Sequence, residues 1–181
     1  MELNAGDNGI FLGLPISKEE SALAKIAQNI YKNYSFDGKY ILDNNKLIIC
    51  QSNVSTELLK SEYPNAIINP LGDWTGGINV DTGCVNRKLG SDLGKAVTGG
   101  GIHGKDCSKA DVSANIVCYI LAQKYNKQVQ ASCAIGDLNI CFKIGKHKKL
   151  ILTYTEITEM AFNFIQELGG FEKLAEWGLI R

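Results

Sequence analysis

The stretch Gly99-Gly-Gly-Ile-His-Gly104-Lys105-Asp-Cys-Ser-Lys109-Ala-Asp111 sets anion-binding and cation-binding groups side by side. Glycines admit positive φ and let backbone N–H groups close on an anion. Lysines bring the opposite charge, and Asp111 offers a hard oxygen of the kind magnesium takes. Gly99 to Lys105 satisfies the spacing G-x-x-x-x-G-K, yet Asp106 stands where a nucleotide-binding P-loop needs a Ser or Thr hydroxyl. The preceding Gly90 to Thr98 is too poor in consecutive apolar residues to read as the buried strand that a P-loop follows. What remains is an anion loop running into a helix. Ser108-x-x-Asp111 reads as a capping box, with Ala110, Ala114, Val117, Cys118, Leu121 and Tyr125 at helical spacing behind it. Lys105, Lys109 and Asp111 then suit a magnesium polyphosphate at a helix N-terminus. The plainer reading is that Asp111 caps the helix and the lysines are solvated.

The elements that must position this loop form two α-plus-strand units. Ser17-x-x-Glu20 opens a helix with Leu23, Ile26, Ala27, Ile30 and Tyr31 on one face. Tyr40 to Leu42 and Lys46 to Cys50 read as a hairpin across Asp43-Asn-Asn45, followed by a short helix over Thr56 to Tyr63 and a strand at Ala66 to Ile68. After the 108 to 125 helix come strands at Val129 to Ile135, Leu138 to Ile144 and Leu150 to Tyr154, with turns at Gly136-Asp137 and at the basic Lys146 to Lys149. A last helix carries Ile157, Met160, Ala161, Phe164, Ile165 and Leu168 as a core stripe and ends at Gly169-Gly170. The expected division is 1–77 and 78–181. Ten of the nineteen glycines fall between Gly72 and Gly104, interleaved with Trp74, Asp81, Arg87, Lys88 and Asp92, a mixture that suits loops shaped around a ligand better than a linker.

Composition excludes several classes. The chain has 181 residues, 45% hydrophobic, with nineteen basic and nineteen acidic side chains that cancel. That balance argues against a broad nucleic-acid surface or a polybasic membrane anchor. No apolar run spans a membrane and the start lacks a signal peptide, so a cytoplasmic protein is expected. Six cysteines form no CxxC pair, which points to reduced thiols over a disulfide framework or zinc site. Of the two histidines, His147 reads as an exposed turn residue and His103 as a loop residue.

Several fragments occur together in one order: Asn4-Ala-Gly-Asp-Asn-Gly9, Asp37-Gly-Lys39, Asn69-Pro-x-Gly72, Asp81-Thr-Gly83, Arg87-Lys88, Gly99-Gly-Gly101, Gly104-Lys-Asp106, Ser108-Lys-x-Asp111 and Ser132-Cys-Ala-Ile-Gly136. From residue 4 to about 145 the chain resembles the S-adenosylmethionine synthetase (methionine adenosyltransferase) family. The resemblance implies ATP and methionine as substrates, joined by attack of the methionine sulfur on the ribose 5′ carbon. The expelled triphosphate is then cleaved to pyrophosphate and phosphate. It implies Mg2+ and K+ as ions. Arg87, Lys88, Lys105 and Lys109 look like triphosphate binders, Lys39 like the lysine near the scissile bond, and Asp111 like a magnesium ligand. Asp37 would contact the nucleoside, Asp7 and Asp81 the methionine ammonium or ribose, and Trp74 would stack on adenine. Alone, Trp74 also reads as core, Arg87-Lys88 as a surface pair, and Asp7 and Asp37 as turn residues.

Departures from the family are as informative. Its N-terminal domain, with a Gly-His-Pro-Asp-Lys motif supplying a histidine and the second magnesium ligand, has no counterpart here, the central domain is shortened, and Val112 stands where an arginine commonly follows the magnesium ligand. The expected fold is α+β, with two similar domains whose mixed or antiparallel sheets carry helices on one face. The expected function is that of a synthetase subunit that needs a separate chain for the missing domain. The alternatives are an inactive nucleotide- or S-adenosylmethionine-binding module and, from a different class, a structural protein that binds no ATP. A homo-oligomer, or a hetero-oligomer with an N-terminal-domain-like chain, follows from the same resemblance, with no nucleic-acid or membrane partner.

Overall fold

A computed structural model describes residues 3–76, 96–99 and 109–177. Among these the fold is α+β, with eight strands and five helices in the order β1 (Gly9–Gly13), α1 (Lys18–Asn33), β2 (Gly38–Asp43), β3 (Lys46–Gln51), α2 (Thr56–Glu62), β4 (Ile67–Ile68), β5 (Ala96–Gly99), α3 (Lys109–Tyr125), β6 (Val129–Cys133), β7 (Asn139–Ile144), β8 (Lys148–Thr153), α4 (Tyr154–Leu168) and α5 (Phe171–Trp177). The chain forms two compact units. One is largely inserted in the other: residues 17–76 with β5, joined by residues 175–177, form the inserted unit, and residues 3–16 join the region from α3 to Leu174 to form the split unit. The boundary expected at residues 77 and 78 lies outside the described residues.

In the inserted unit, the Ser17 hydroxyl accepts from the Glu20 N–H at 3.1 Å while the Glu20 carboxylate accepts from the Ser17 N–H at 2.7 Å. This is the expected capping box, and it satisfies two donors that a helix start otherwise leaves unpaired. Leu23, Ala27 and Ile30 turn from α1 onto Tyr40, Ile49, Leu59 and Ile68. Each large apolar side chain so buried contributes roughly 1.5–3 kcal/mol. The hairpin forms where expected, because Asn44 and Asn45 take φ of 47° and 65°, the positive pair that a tight two-residue turn requires. The sheet order is β4-β3-β2-β5, with β4 parallel to β3 and the other pairs antiparallel.

The split unit carries an antiparallel sheet in the order β1-β6-β7-β8. Alternation along the strands turns Phe11, Ala131, Cys133, Ile140, Phe142 and Ile144 into the core with α3 and α4, while Ile10 and Ile151 stay 79% and 67% exposed on the other face. Helix α3 lies so close to β1 that a Cβ on Gly13 would meet the Cys118 carbonyl. Burial on α3 reaches beyond the expected stripe to Ser113, Asn115, Ile116 and Ala122. The Ser113 and Tyr154 hydroxyls share a buried hydrogen bond of 2.9 Å.

Three boundaries differ from expectation for local reasons. Tyr154 does not continue a strand; it is the first residue of α4, because Thr153 and Glu156 form a second capping box. The strand expected over 129 to 135 ends at Cys133, where Ala134 to Asp137 turn back through a 3.1 Å backbone bond. A short strand, β5, does precede the glycine loop; with only Ala96 and Val97 apolar it is set by pairing with β2 and not by a hydrophobic run. Gly169, at φ 98°, closes α4 as anticipated.

Candidate functional site

The described motif residues gather in two places, one in each unit. In the inserted unit the hub is Gln51, the last residue of β3, fully buried. Its amide donates to the carbonyls of Phe36, Asp37 and Ser52 at 3.1, 3.1 and 3.4 Å, and its Oε1 accepts from the Tyr40 hydroxyl at 2.5 Å. Burial pushes the Tyr40 phenol well above its ordinary range, which keeps it a proton donor. The Ser52 N–H and hydroxyl both donate to the Asp37 carbonyl at 2.9 Å. Three donors from one dipeptide, Gln51 Nε2 and the Ser52 N–H and hydroxyl, thus converge on the Asp37 carbonyl and fix the start of the Asp37-Gly-Lys39 motif.

The same strand end holds the Asn69-to-Gly76 loop. The Gln51 N–H donates to the Asn69 side-chain oxygen at 2.9 Å, and Asp73 Oδ1 accepts from both the Thr56 N–H and the Thr56 hydroxyl. The Thr56 hydroxyl bond, with help from Asn69, holds the Asp73 carboxyl below the usual carboxylate range. Further along, the Trp74 carbonyl accepts from the Asn53 N–H at 2.9 Å and the Gly76 carbonyl from Asn53 Nδ2 at 3.0 Å. A Cβ on Gly76 would lie 2.8 Å from Ser52 Oγ and 3.1 Å from Asp37 Oδ2, so only glycine lets this strip lie against the motif. Trp74 keeps 40% of its surface exposed and is not a core residue.

Lys39 projects from the face of β2 opposite Tyr40, as the register partner of Cys50. Burial pushes the Cys50 thiol up and the Lys39 charge pulls it partly back. On its other side β2 pairs with β5, where Gly38 faces Gly99 and Lys39 faces Thr98. Asp37, Lys39, Trp74 and the first residue of the glycine loop therefore belong to one neighbourhood, although Gly38 and Gly99 are far apart in sequence.

In the split unit the Asn4-to-Gly9 fragment meets the Ser132-to-Gly136 fragment. Ala5 and the 136–137 turn exchange backbone bonds of 2.9 and 2.8 Å, the Ile135 N–H donates to Asn8 Oδ1 at 2.7 Å, and Gly9 pairs with Cys133. Asp7 is exposed there, its carboxylate accepting from the Asn8 N–H at 2.8 Å. Lys109 and Asp111 stand in the first turn of α3, and their side chains lie outside those described. Asp81, Arg87, Lys88, Lys105 and the Ser108 cap lie outside the described residues, as do Cys84, Cys107 and His103. His147 is exposed in the β7–β8 turn, as expected.

Sequence reasoning found the motif residues but not what holds them. Gln51, Ser52 and Asn53 follow an apolar strand as an ordinary polar run, and only the folded chain reveals their partners. Cys50, Cys118, Cys133 and Cys141 are free thiols. Among the described residues, no three His, Cys, Asp or Glu side chains are grouped to hold a metal ion, and no helix is long and apolar enough to cross a membrane. No protein-family model and no curated protein matches the chain.

Proposed function

We propose that this chain is an S-adenosylmethionine synthetase-like subunit, built of two similar domains, that forms S-adenosylmethionine from ATP and methionine together with a domain that carries the Gly-His-Pro-Asp-Lys motif. The reading rests on the motif order in the sequence, and the observation that carries it furthest is the pairing of Gly38 with Gly99. That pairing sets the Asp37-Gly-Lys39 motif beside the first residue of the lysine-bearing glycine loop. The convergence of Asn4-to-Gly9 with Ser132-to-Gly136 supports it from the other unit.

In this reading the sulfur lone pair of methionine forms the S–C5′ bond as the C5′–O bond breaks, and the triphosphate leaves with the electron pair. A sulfur nucleophile needs no general base, so rate comes from alignment and from charge placed where the leaving group becomes more anionic. Lys39 stands near the scissile bond, and Arg87, Lys88, Lys105 and Lys109 receive the triphosphate. Trp74 stacks on adenine while Asp37 accepts from the nucleoside, and Asp7 and Asp81 hold the methionine ammonium or the ribose. Asp111, a single hard oxygen donor, suits magnesium, which neutralises phosphate charge when bound; K+ would add to that charge balance. Water then divides the triphosphate into pyrophosphate and phosphate.

The test is to supply ATP, methionine and magnesium to the chain alone and with a chain that carries the Gly-His-Pro-Asp-Lys domain. Mass spectrometry should detect S-adenosylmethionine only in the mixture. Product from the lone chain would remove the need for a partner, whereas nucleotide binding without product in a verified complex would leave a binding module.

A further inference from the structure

Asp37 and Trp74 are held by neighbouring residues. Ser52 binds the Asp37 carbonyl through both its N–H and its hydroxyl, and Asn53, one residue on, binds the carbonyls of Trp74 and Gly76. The Trp74 backbone and the Asp37 carbonyl are thus held by residues one peptide link apart. Asp73 fastens the same strip to the first turn of α2 through Thr56, and Gly76 lets it lie flush on Ser52 and Asp37.

We infer that Asn53 is a positioning residue, which orients Trp74 for stacking without itself touching a ligand. Its backbone supports the assignment: φ of 55° is left-handed, a conformation that asparagine and glycine accept readily while other residues resist it. The side-chain bond to Gly76 is exposed, so its loss leaves no buried hole. A residue retained only to cap β3 would need the left-handed backbone but not an amide reaching 23 positions ahead. The expected effect on nucleotide binding rests on the function proposed above; the effect on Trp74 does not.

The chain has two tryptophans, Trp74 and Trp177, so a Trp177→Phe background isolates the indole of interest. Asn53→Gly keeps the backbone conformation and removes the amide; Asn53→Asp keeps the shape but replaces the donor by a carboxylate oxygen that repels the Gly76 carbonyl. In the ligand-free protein, both should shift Trp74 emission to the red and raise its quenching by acrylamide, with the urea midpoint unchanged. Magnesium ATP affinity, measured by titration calorimetry, should fall about tenfold, equivalent to ~1.4 kcal/mol. Unaltered Trp74 emission and quenching in both variants would overturn the inference. So would a moved Trp74 with undiminished affinity. A parent protein that binds no magnesium ATP would defeat the nucleotide reading instead, leaving the emission measurement to decide the role of Asn53.

Discussion

Gly38 and Gly99 are Cα partners across the antiparallel β2–β5 ladder. A Cβ on Gly38 would meet the Tyr40 hydroxyl and come within 2.5 Å of Gln51 Oε1. Gly38→Ala should therefore disrupt the hub and the motif together, costing about 1–3 kcal/mol by overpacking. A lowered urea midpoint, with weaker nucleotide binding, is the expected result; an unchanged midpoint would contradict the packing described.

Gln51→Met preserves length and apolar volume but strands the Tyr40 hydroxyl and takes the Gln51 donor from the Phe36 carbonyl, while the Asp37 carbonyl keeps its two Ser52 donors. Leaving buried partners unsatisfied costs roughly 1–3 kcal/mol apiece before relaxation. Chemical denaturation should register a larger loss than for Gly38→Ala. Tyr40→Phe, which strands only one acceptor, should fall between the Met variant and the parent.

Helix α4 depends on the Thr153–Glu156 box, and the Thr153 N–H and hydroxyl depress the Glu156 pKa below its ordinary 4.5. A depressed carboxylate contributes stability that is fully present above the unfolded-state pKa and is lost as pH falls through the folded one. The parent should thus lose stability on acidification below about pH 4.5, with Asp73 acting in the same direction. Thr153→Ala should cost ~1 kcal/mol at neutral pH. Glu156→Gln, which leaves nothing to titrate, should flatten the acid limb of a stability–pH curve; an unaltered limb in that variant would remove Glu156 as its cause.

Cys118 is fully buried beneath β1 and its thiol is pushed up to about 12. Iodoacetamide at pH 8 should leave it unmodified in the native protein and label it in urea. Cys50 is half-buried beside Lys39, whose charge favours the thiolate. Lys39→Met should slow Cys50 alkylation, read by peptide mass spectrometry. Faster labelling would argue against the register that places the two side chains together.

Local chemistry was legible and long-range pairing was not. The Ser17–Glu20 box, the Asn44-Asn45 turn and the Gly169 cap are each decided within a few residues, and each stands where the sequence put it. Strand β1 is a five-residue segment bounded by glycines, and nothing near it announces a partner at β6. Strand β5 has two apolar residues and exists through β2. Thr153-Tyr-Thr-Glu156 carried a readable cap signal, masked by the β-branched run before it. At the site, residue types marked Asp37, Lys39 and Trp74, whereas the polar residues that hold them acquire meaning only from partners as far as 23 positions away.

The clasp between Cys133 and the Asp7 carbonyl closes over 126 positions, with the Ser17–Asp106 part of the inserted unit between its ends. During synthesis the first strand leaves the ribosome long before the strand it pairs with has been made, whereas α1, β2, β3 and α2 emerge consecutively. The inserted unit can condense while β1 waits with its apolar face uncovered, and loop closure of that length is slow to reward. Moving residues 1–16 to the C-terminus by circular permutation would let β1 follow its partner, and refolding of the split unit should then be faster than in the native order.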